Sequence, residues 1–253
     1  AIAMGAMPLI AIRVLDASTF MVSLLTAASG IFGALLALPL GPFIEKRTKR
    51  PTMIASDLVR ALLFVSVPVA SGLGYLTFTH LLVAAAGTAL FGIVFGGAST
   101  AHLKDLVPQR DRTEGIGKLE STFWFFNTIG PAAGGAVVQL FGATATLVLQ
   151  AAGLVMSALG ISRIKKPEKP PAQLQSRNFL KEASAGFTQT YQSKVLWPLF
   201  INSTLFAGFI AWIGPLELVL LLRELALPAW QYGLALALPS IGGVLGSWFA
   251  PHF

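Results

Sequence analysis

Long apolar runs separated by short polar breaks form the dominant pattern of this chain. The runs are continuous rather than alternating, and most approach the roughly 20 residues that a helix needs to cross a bilayer. They predict eight membrane-spanning helices, at residues 1–12, 20–40, 52–71, 77–100, 115–139, 143–162, 195–222 and 229–250. The predicted fold class is therefore an all-α polytopic membrane protein.

The composition explains why the solvent around these helices must be lipid. Of 253 residues, 55% are hydrophobic and only 11% are charged, whereas soluble domains carry roughly 25% charged residues. Cysteine is absent and the three histidines are scattered, so we expect no disulfide, no metal site and no cofactor. We assign the net charge of +7 to contact with membrane headgroups rather than nucleic acid.

The basic residues are distributed unevenly between the predicted loops. Of the 18 Lys and Arg residues, 14 fall in segments 41–51, 101–114 and 163–194. The loops on the other side hold only Arg13 and Arg223. The positive-inside rule places the three basic segments in the cytoplasm and predicts a multi-pass protein of the cell membrane.

The same pattern divides the chain into three parts. Residues 1–162 predict an N-terminal transmembrane bundle whose first helix is truncated, because the chain begins inside an apolar run. Residues 163–194 predict a Pro-rich cytoplasmic linker that continues either as an amphipathic helix or as a disordered loop. Residues 195–253 predict an incomplete C-terminal bundle, with about four further spans expected beyond it. The apolar stripe of the linker helix consists of Leu180, Ala183, Phe187 and Tyr191.

One short stretch, "GPFIEKRTKR" at Gly41–Arg50, concentrates charge between two apolar runs. We expect glycine to end one helix and Pro51 to start the next. A topology anchor would explain the basic residues, but it would not explain Glu45. Asp57 and Arg60 lie three residues apart just inside span 3, where they are expected to pair across one helical turn. Charged residues at membrane depth usually mark function.

This stretch resembles the loop between helices 2 and 3 of the major facilitator superfamily. That loop reads Gly, three residues, an acid, a base, one residue, Gly, one residue and a base. The departures are Glu45 for the usual Asp and Thr48 for the second Gly. The resemblance implies that the loop makes charge contacts at the cytoplasmic helix ends and stabilises one state of a transport cycle. The implied conformational-switch residues are Gly41, Glu45, Lys46, Lys49, Arg50, Asp57 and Arg60.

Span 5 reads "GKLESTFWFFNTIGPAAGGAVV" and resembles the fifth-helix motif of proton-coupled exporters. Pro131 removes a backbone hydrogen bond and is expected to kink the helix, and glycines allow a neighbouring backbone to approach closely. Ordinary small-residue packing is the alternative. The whole chain resembles the enterobactin-exporter-like, drug-efflux branch of the superfamily. The residues that match the motif are Gly117, Gly130, Pro131, Gly134 and Gly135.

Four polar side chains inside predicted spans are candidate proton or substrate sites: Glu120, Asn127, Asn202 and Glu217. Burial raises the pKa of a carboxyl group, so either acid could carry a proton. Glu120 has two alternatives, which are a local pair with Lys118 and a position at the headgroup boundary. The alternative for Glu217 is contact with water at the outer end of its helix.

The resemblance implies a secondary active transporter that works by alternating access. The expected activity is proton-coupled efflux, by antiport, of a small amphipathic or apolar compound such as a drug or a siderophore-like molecule, as in multidrug resistance. The expected partners are the lipid bilayer, the substrate and protons, and we expect a monomer that is not an enzyme and has no catalytic residue. The alternatives are an uptake carrier on the same fold and, in another class, a non-transporting membrane sensor or enzyme.

Overall fold

The structure is a computed structural model that describes part of the chain, and within that part all regular structure is helical. This confirms the predicted all-α class. At residues 113, 131–132, 211–212, 214–215, 218–219 and 222–223 only the backbone is described. The described residues are 6–25, 27, 40, 44–165, 168, 187–225, 227–228, 231, 234–235 and 242.

Helix α1 is Ala6–Val14, and α2 comprises the helical residues 19–25. Two long helices follow, α3 at Lys49–Gly72 and α4 at Phe78–Leu106. A short turn joins them, and Gly74 adopts a φ of +75° in it, a conformation that costs glycine little. Helix α4 begins where the hydroxyl of its N-cap residue, Thr77, accepts a hydrogen bond from a first-turn N–H.

The next two spans form one hydrogen-bonded helical run, Arg112–Ser162. Gly142 interrupts its helical dihedral angles, with a φ of +84° and a ψ of 165°. This residue therefore divides the run into α5, residues 112–141, and α6, residues 143–162. The hydroxyl of Thr146 donates to the carbonyl oxygen of Gly142 over 3.0 Å, so the carbonyl at the break keeps a hydrogen-bond partner.

The core lies where α1, α3, α4 and α6 meet. Ile10, Val67, Leu81 and Leu147 come from these four helices and are at most 1% exposed. A smaller cluster lies at the end of the bundle that carries the charged loop, which we call the basic end. In a bilayer, van der Waals contact between such well-fitted side chains holds helices together, because lipid tails are as apolar as the core.

Many large apolar side chains lie on the outside of the bundle. Leu62, Leu140 and Met156 are 70%, 75% and 69% exposed. A soluble protein rarely exposes such continuous apolar surface, so these faces contact lipid. Among the described residues, three helical segments are long and apolar enough to cross a membrane, at Lys49–Gly72, Phe78–Leu106 and Ala133–Ser162.

Helix α7 is Leu196–Val219, and a π-helical turn, Leu220–Glu224, extends it. Residues 187–192 form a short helix before α7. Its Phe187 and Tyr191, two residues of the predicted apolar stripe, contact the ring of Trp197, with ring centroids 6.2 and 4.8 Å apart. The other two stripe residues, Leu180 and Ala183, lie outside the described residues, as do the start of predicted span 1 and most of predicted spans 2 and 8.

Helix ends differ from the predicted spans at the basic end. Helix α4 continues to Leu106, beyond the predicted limit at residue 100, and α5 begins at Arg112. The predicted loop 101–114 is therefore mostly helical. Hydropathy marks where the bilayer ends, whereas a helix continues into water as long as its backbone hydrogen bonds do.

Candidate functional site

A tight turn at residues 44–48 leads from the second span into α3, and Lys49 stabilises it. The ammonium group of Lys49 donates to the carbonyl oxygens of Ile44, Glu45 and Arg47 at 2.8, 3.0 and 2.8 Å. Carbonyls at a helix C-terminus lack intrahelical partners and carry the negative end of the helix dipole. Lys49 therefore caps the end of the preceding helix as well as beginning its own.

Thr48 occupies the slot that the resemblance gives to a second glycine. Its φ is −63° and its ψ is 132°, an extended conformation that any residue adopts, so no glycine is required there. Helix α3 starts at Lys49, two residues before the predicted start at Pro51. The proline still costs little in the first turn, where an N–H has no intrahelical partner. Gly41 lies outside the described residues.

Arg50 and Glu168 join the start of α3 to α6, to α4 and to the linker. The guanidinium of Arg50 donates to the carbonyl oxygen of Ser162 at the end of α6, and its backbone N–H donates to the carboxylate of Glu168. The same Glu168 oxygen lies 3.3 Å from Nδ1 of His102 in α4, without the alignment of a hydrogen bond. The carboxylate is thus placed at the N-terminus of α3, where the helix dipole favours negative charge.

Asp57 and Arg60 form the ion pair that their spacing predicts. Arg60 Nη1 donates to Asp57 Oδ1 over 3.3 Å, and Asp57 is 1% exposed. Ser157 of α6 lies within reach of the Asp57 carboxyl. A Cβ placed on Gly92 of α4 would lie 4.0 Å from the Arg60 guanidinium. The pair therefore lies on the face of α3 that packs against α4 and α6. Asp57 Oδ2 has no hydrogen-bond partner among the described residues.

The motif residues of α5 lie along one continuous helix. Gly130 and Gly134 are buried, whereas Gly117 and Gly135 are partly buried. The backbone stays helical at Pro131, and the residue with non-helical dihedral angles is Gly142. The fixed φ of proline is compatible with a helix, so a single proline can bend a helix without ending it.

The four candidate proton or substrate residues are not brought together by hydrogen bonds in the described structure. Glu120 and Asn202 are exposed, and Asn127 is partly buried and donates to the carbonyl of Phe123 in its own helix, 2.9 Å away. Glu217 is partly buried and lies just before the π-helical turn of α7. Such turns are rare and frequently occur at functional sites.

Lys118 pairs with Glu114 at 2.7 Å, so the local Glu120–Lys118 pair considered from the sequence is wrong. The two residues are four apart on the exposed surface of α5, which is the spacing that favours an ion pair. The hydrogen bond from Lys118 lowers the pKa of Glu114 below its usual value.

Two residues of this charged site were not predicted from the sequence, Glu168 and His102. Glu168 is 118 residues from Arg50 along the chain, so no local spacing indicates the contact. A weak indication was present, since Glu168 is an acid within the basic, Pro-rich start of the linker. His102 is 4% exposed although it lies in a segment that was predicted to be a loop.

These features define the class as a polytopic helical membrane protein with a buried ion pair and a charged cluster at one end of its bundle. The family model of the Major Facilitator Superfamily matches residues 1–253, so the chain belongs to that family of secondary transporters. This confirms the superfamily that the charged loop indicated. No individual curated protein matches the chain.

Proposed function

We propose that the full-length protein exports a small amphipathic or apolar compound and that an inward flow of protons drives the export. The observation that carries the proposal is the polar cluster at the basic end. It connects the start of α3, which directly follows the turn at 44–48, to α4, α6 and the linker through Arg50, His102, Ser162 and Glu168. Residues 163–194 then link the N-terminal bundle, 1–162, to a C-terminal bundle that begins at residue 195.

A cluster of this kind suits a switch between two conformations. Polar contacts at the end of a helical bundle can exchange for contacts with water, so breaking them costs less than separating a packed core. Substrate or proton binding needs only a few kcal/mol of differential affinity to shift such an equilibrium. Glu45, Lys46, Lys49 and Arg50 form or adjoin the turn, whereas Asp57 and Arg60 anchor α3 below it.

Export, rather than uptake, is supported by the glycine pattern of α5. Gly130 and Gly134 are buried, as residues that allow close packing of helices would be. Such a smooth helix surface can slide against a neighbouring helix during alternating access. The sequence motif that carries these glycines is typical of proton-coupled exporters.

We assign proton coupling to Glu217 first and to Glu120 second. Glu217 is partly buried within an apolar helix, next to the π-helical turn, whereas Glu120 is exposed on the described surface. A carboxyl group that exchanges its proton between two environments can bias the transporter towards one of its two states. Asn127 and Asn202 are proposed to contact substrate.

The test is transport by the full-length protein in cells and in vesicles, with the amphipathic dye ethidium as the probe. We expect expression to lower dye retention and an uncoupler of the proton gradient to restore it. Glu217→Gln should abolish gradient-driven export but keep dye exchange without a gradient, since only the proton step is lost. Dye movement in the same direction as protons would overturn export in favour of uptake. Unchanged export in both Glu217→Gln and Glu120→Gln would remove the coupling assignment.

A further inference from the structure

A cleft of about 700 Å³ opens at the basic end between α3 and α4. Away from the charged turn its lining is mainly apolar and consists of Leu40, of Ala55 in α3 and of Leu90, Phe91 and Val94 in α4; Ser56 also lines it, and its hydroxyl donates to the carbonyl oxygen of Thr52. None of the five apolar side chains offers a hydrogen bond. This part of the cleft therefore suits a hydrocarbon chain and does not suit a small polar solute.

The mouth of the same cleft is cationic and polar. Lys46 and Arg47 line it together with the hydroxyl-bearing Thr48 and Thr52. Both cations come from the turn that directly precedes α3. The two adjacent cations are donors of the kind that a phosphate group binds, whereas the Thr52 hydroxyl donates to the carbonyl oxygen of Thr48 over 2.7 Å.

The turn that presents the two cations is held in place. Arg47 N–H donates to the carbonyl oxygen of Ile44 over 3.2 Å, and the Lys49 ammonium donates to that same oxygen and to the carbonyl oxygens of Glu45 and Arg47. A Cβ at Gly97 of α4 would lie only 2.8 Å from Ile44 Cδ1, so the turn is packed closely against α4. The backbone at the mouth of the cleft is therefore fixed from two sides, by the hydrogen bonds from Lys49 and by packing against α4.

The position of the cleft relative to the bilayer determines what can occupy it. The apolar span of α3 begins at Lys49, so the turn lies at headgroup level and Ala55 and Val94 lie deeper, beside the acyl chains. We propose that this cleft binds an anionic phospholipid, with its phosphate on Lys46 and Arg47 and one acyl chain along α4. Charge complementarity selects an anionic head, and the apolar depth selects a lipid over free phosphate.

This inference does not depend on the direction or the coupling of transport. It requires only that α3 and α4 cross a membrane. A lipid bound here would also contact Thr48, the residue before α3, and Pro51 in the first turn of α3, and would therefore bias the position of the charged turn. Lipid binding can be measured without transport, so the two proposals can fail separately.

The experiment counts the lipids retained by the full-length protein, by native mass spectrometry after purification from vesicles that contain equal amounts of phosphatidylglycerol and phosphatidylcholine. We expect selective retention of phosphatidylglycerol. The double variant Lys46→Ala/Arg47→Ala should lose this selectivity. Ala55→Phe, which fills the apolar part, should lose retention with both cations in place. Ala55→Gln tests the same position with a polar chain if the phenylalanine variant does not fold.

The matched control is Arg110→Ala/Lys118→Ala, which removes two cations that are 85% and 76% exposed and lie outside the cleft. It should retain phosphatidylglycerol like the unchanged protein. If this control loses phosphatidylglycerol as much as the Lys46→Ala/Arg47→Ala variant does, the retention is due to general attraction between a cationic surface and an anionic lipid. That result would overturn the proposed site. Equal retention of both lipids would overturn it as well. So would loss of the retained phosphatidylglycerol on addition of inorganic phosphate, or normal retention in both Ala55 variants.

Discussion

At the scale of single residues, Lys49 has an unusual position because one ammonium group serves three backbone carbonyls. All three belong to the turn that carries the charged loop. We predict that Lys49→Ala lowers the free energy of unfolding by about 1–2 kcal/mol, since charge-assisted hydrogen bonds contribute that order of magnitude. Thermal unfolding of the full-length protein in detergent measures it.

The control for this prediction is Lys46→Ala, which removes the same charge from the same turn. Lys46 is exposed, whereas Lys49 is partly buried and donates to three carbonyls, so the loss of Lys46 should lower the free energy of unfolding by less than the loss of Lys49. Equal effects of the two variants would show that net charge, and not capping, stabilises the turn.

The buried pair of Asp57 and Arg60 allows a second prediction at this scale. Asp57→Asn keeps the shape of the side chain but leaves the Arg60 guanidinium without its counter-charge. Removing one partner of a buried pair costs about 3 kcal/mol, so the variant should unfold at a clearly lower temperature. Adding Arg60→Gln should recover much of that loss. If the double variant is less stable than either single variant, the pair is not the source of the effect.

At the scale of the helical elements, Gly142 is the residue that separates α5 from α6. Its φ of +84° combined with a ψ of 165° is a region that only glycine occupies readily. A Cβ there would meet no atom within 4 Å, so any cost of substitution is conformational. We predict that Gly142→Ala destabilises the protein by about 1–3 kcal/mol in thermal unfolding.

Gly153→Ala is the matched control, because Gly153 lies inside α6, and a Cβ there would also meet nothing within 4 Å. Alanine is the better helix former by up to about 1 kcal/mol, so this variant should be neutral or slightly stabilising. A loss at residue 153 as large as that at residue 142 would contradict the conformational explanation.

The elements themselves were predictable to different degrees. The spans predicted at 52–71 and 143–162 lie within a few residues of α3 and α6, because continuous hydrophobicity indicates them. The helical nature of residues 101–106 was not predictable from hydropathy, since Lys104 and Asp105 read as a loop. The break at Gly142 lies where two apolar runs meet, but its dihedral angles depend on how α5 and α6 pack.

At the scale of the whole molecule, Glu168 connects the linker to the bundle. Its carboxylate accepts from the N–H of Arg50 and lies beside His102, and it is 14% exposed. The sequence did not predict this contact, because only folding brings residues 50 and 168 together. The Asp57–Arg60 pair was predictable, since a helix fixes the geometry of residues three apart.

We predict that Glu168→Gln releases the linker from the bundle. A charge-assisted hydrogen bond contributes about 1.4 kcal/mol or more, which corresponds to roughly tenfold in the equilibrium between docked and released linker. Trypsin should therefore cleave the full-length variant between α6 and α7 several-fold faster. Glu114→Gln, which removes an acid that also pairs at the basic end, should leave the cleavage rate unchanged. A cleavage rate unaffected by Glu168→Gln would show that other contacts hold the linker.

The predicted helices cross the membrane in alternating directions, so each loop is assigned to one side of the bilayer. Labelling can test this assignment. If α3 and α4 cross the bilayer as antiparallel spans, Lys46 and Lys165 lie on one side and Tyr75, in the turn between α3 and α4, lies on the other. Single cysteines at these positions, in a full-length protein without other cysteines, should react with a membrane-impermeant maleimide accordingly. In intact cells we expect modification at position 75 alone, with positions 46 and 165 reacting only after permeabilisation. Reaction of positions 46 and 165 from opposite sides would require an odd number of crossings between them and would invalidate the span assignment.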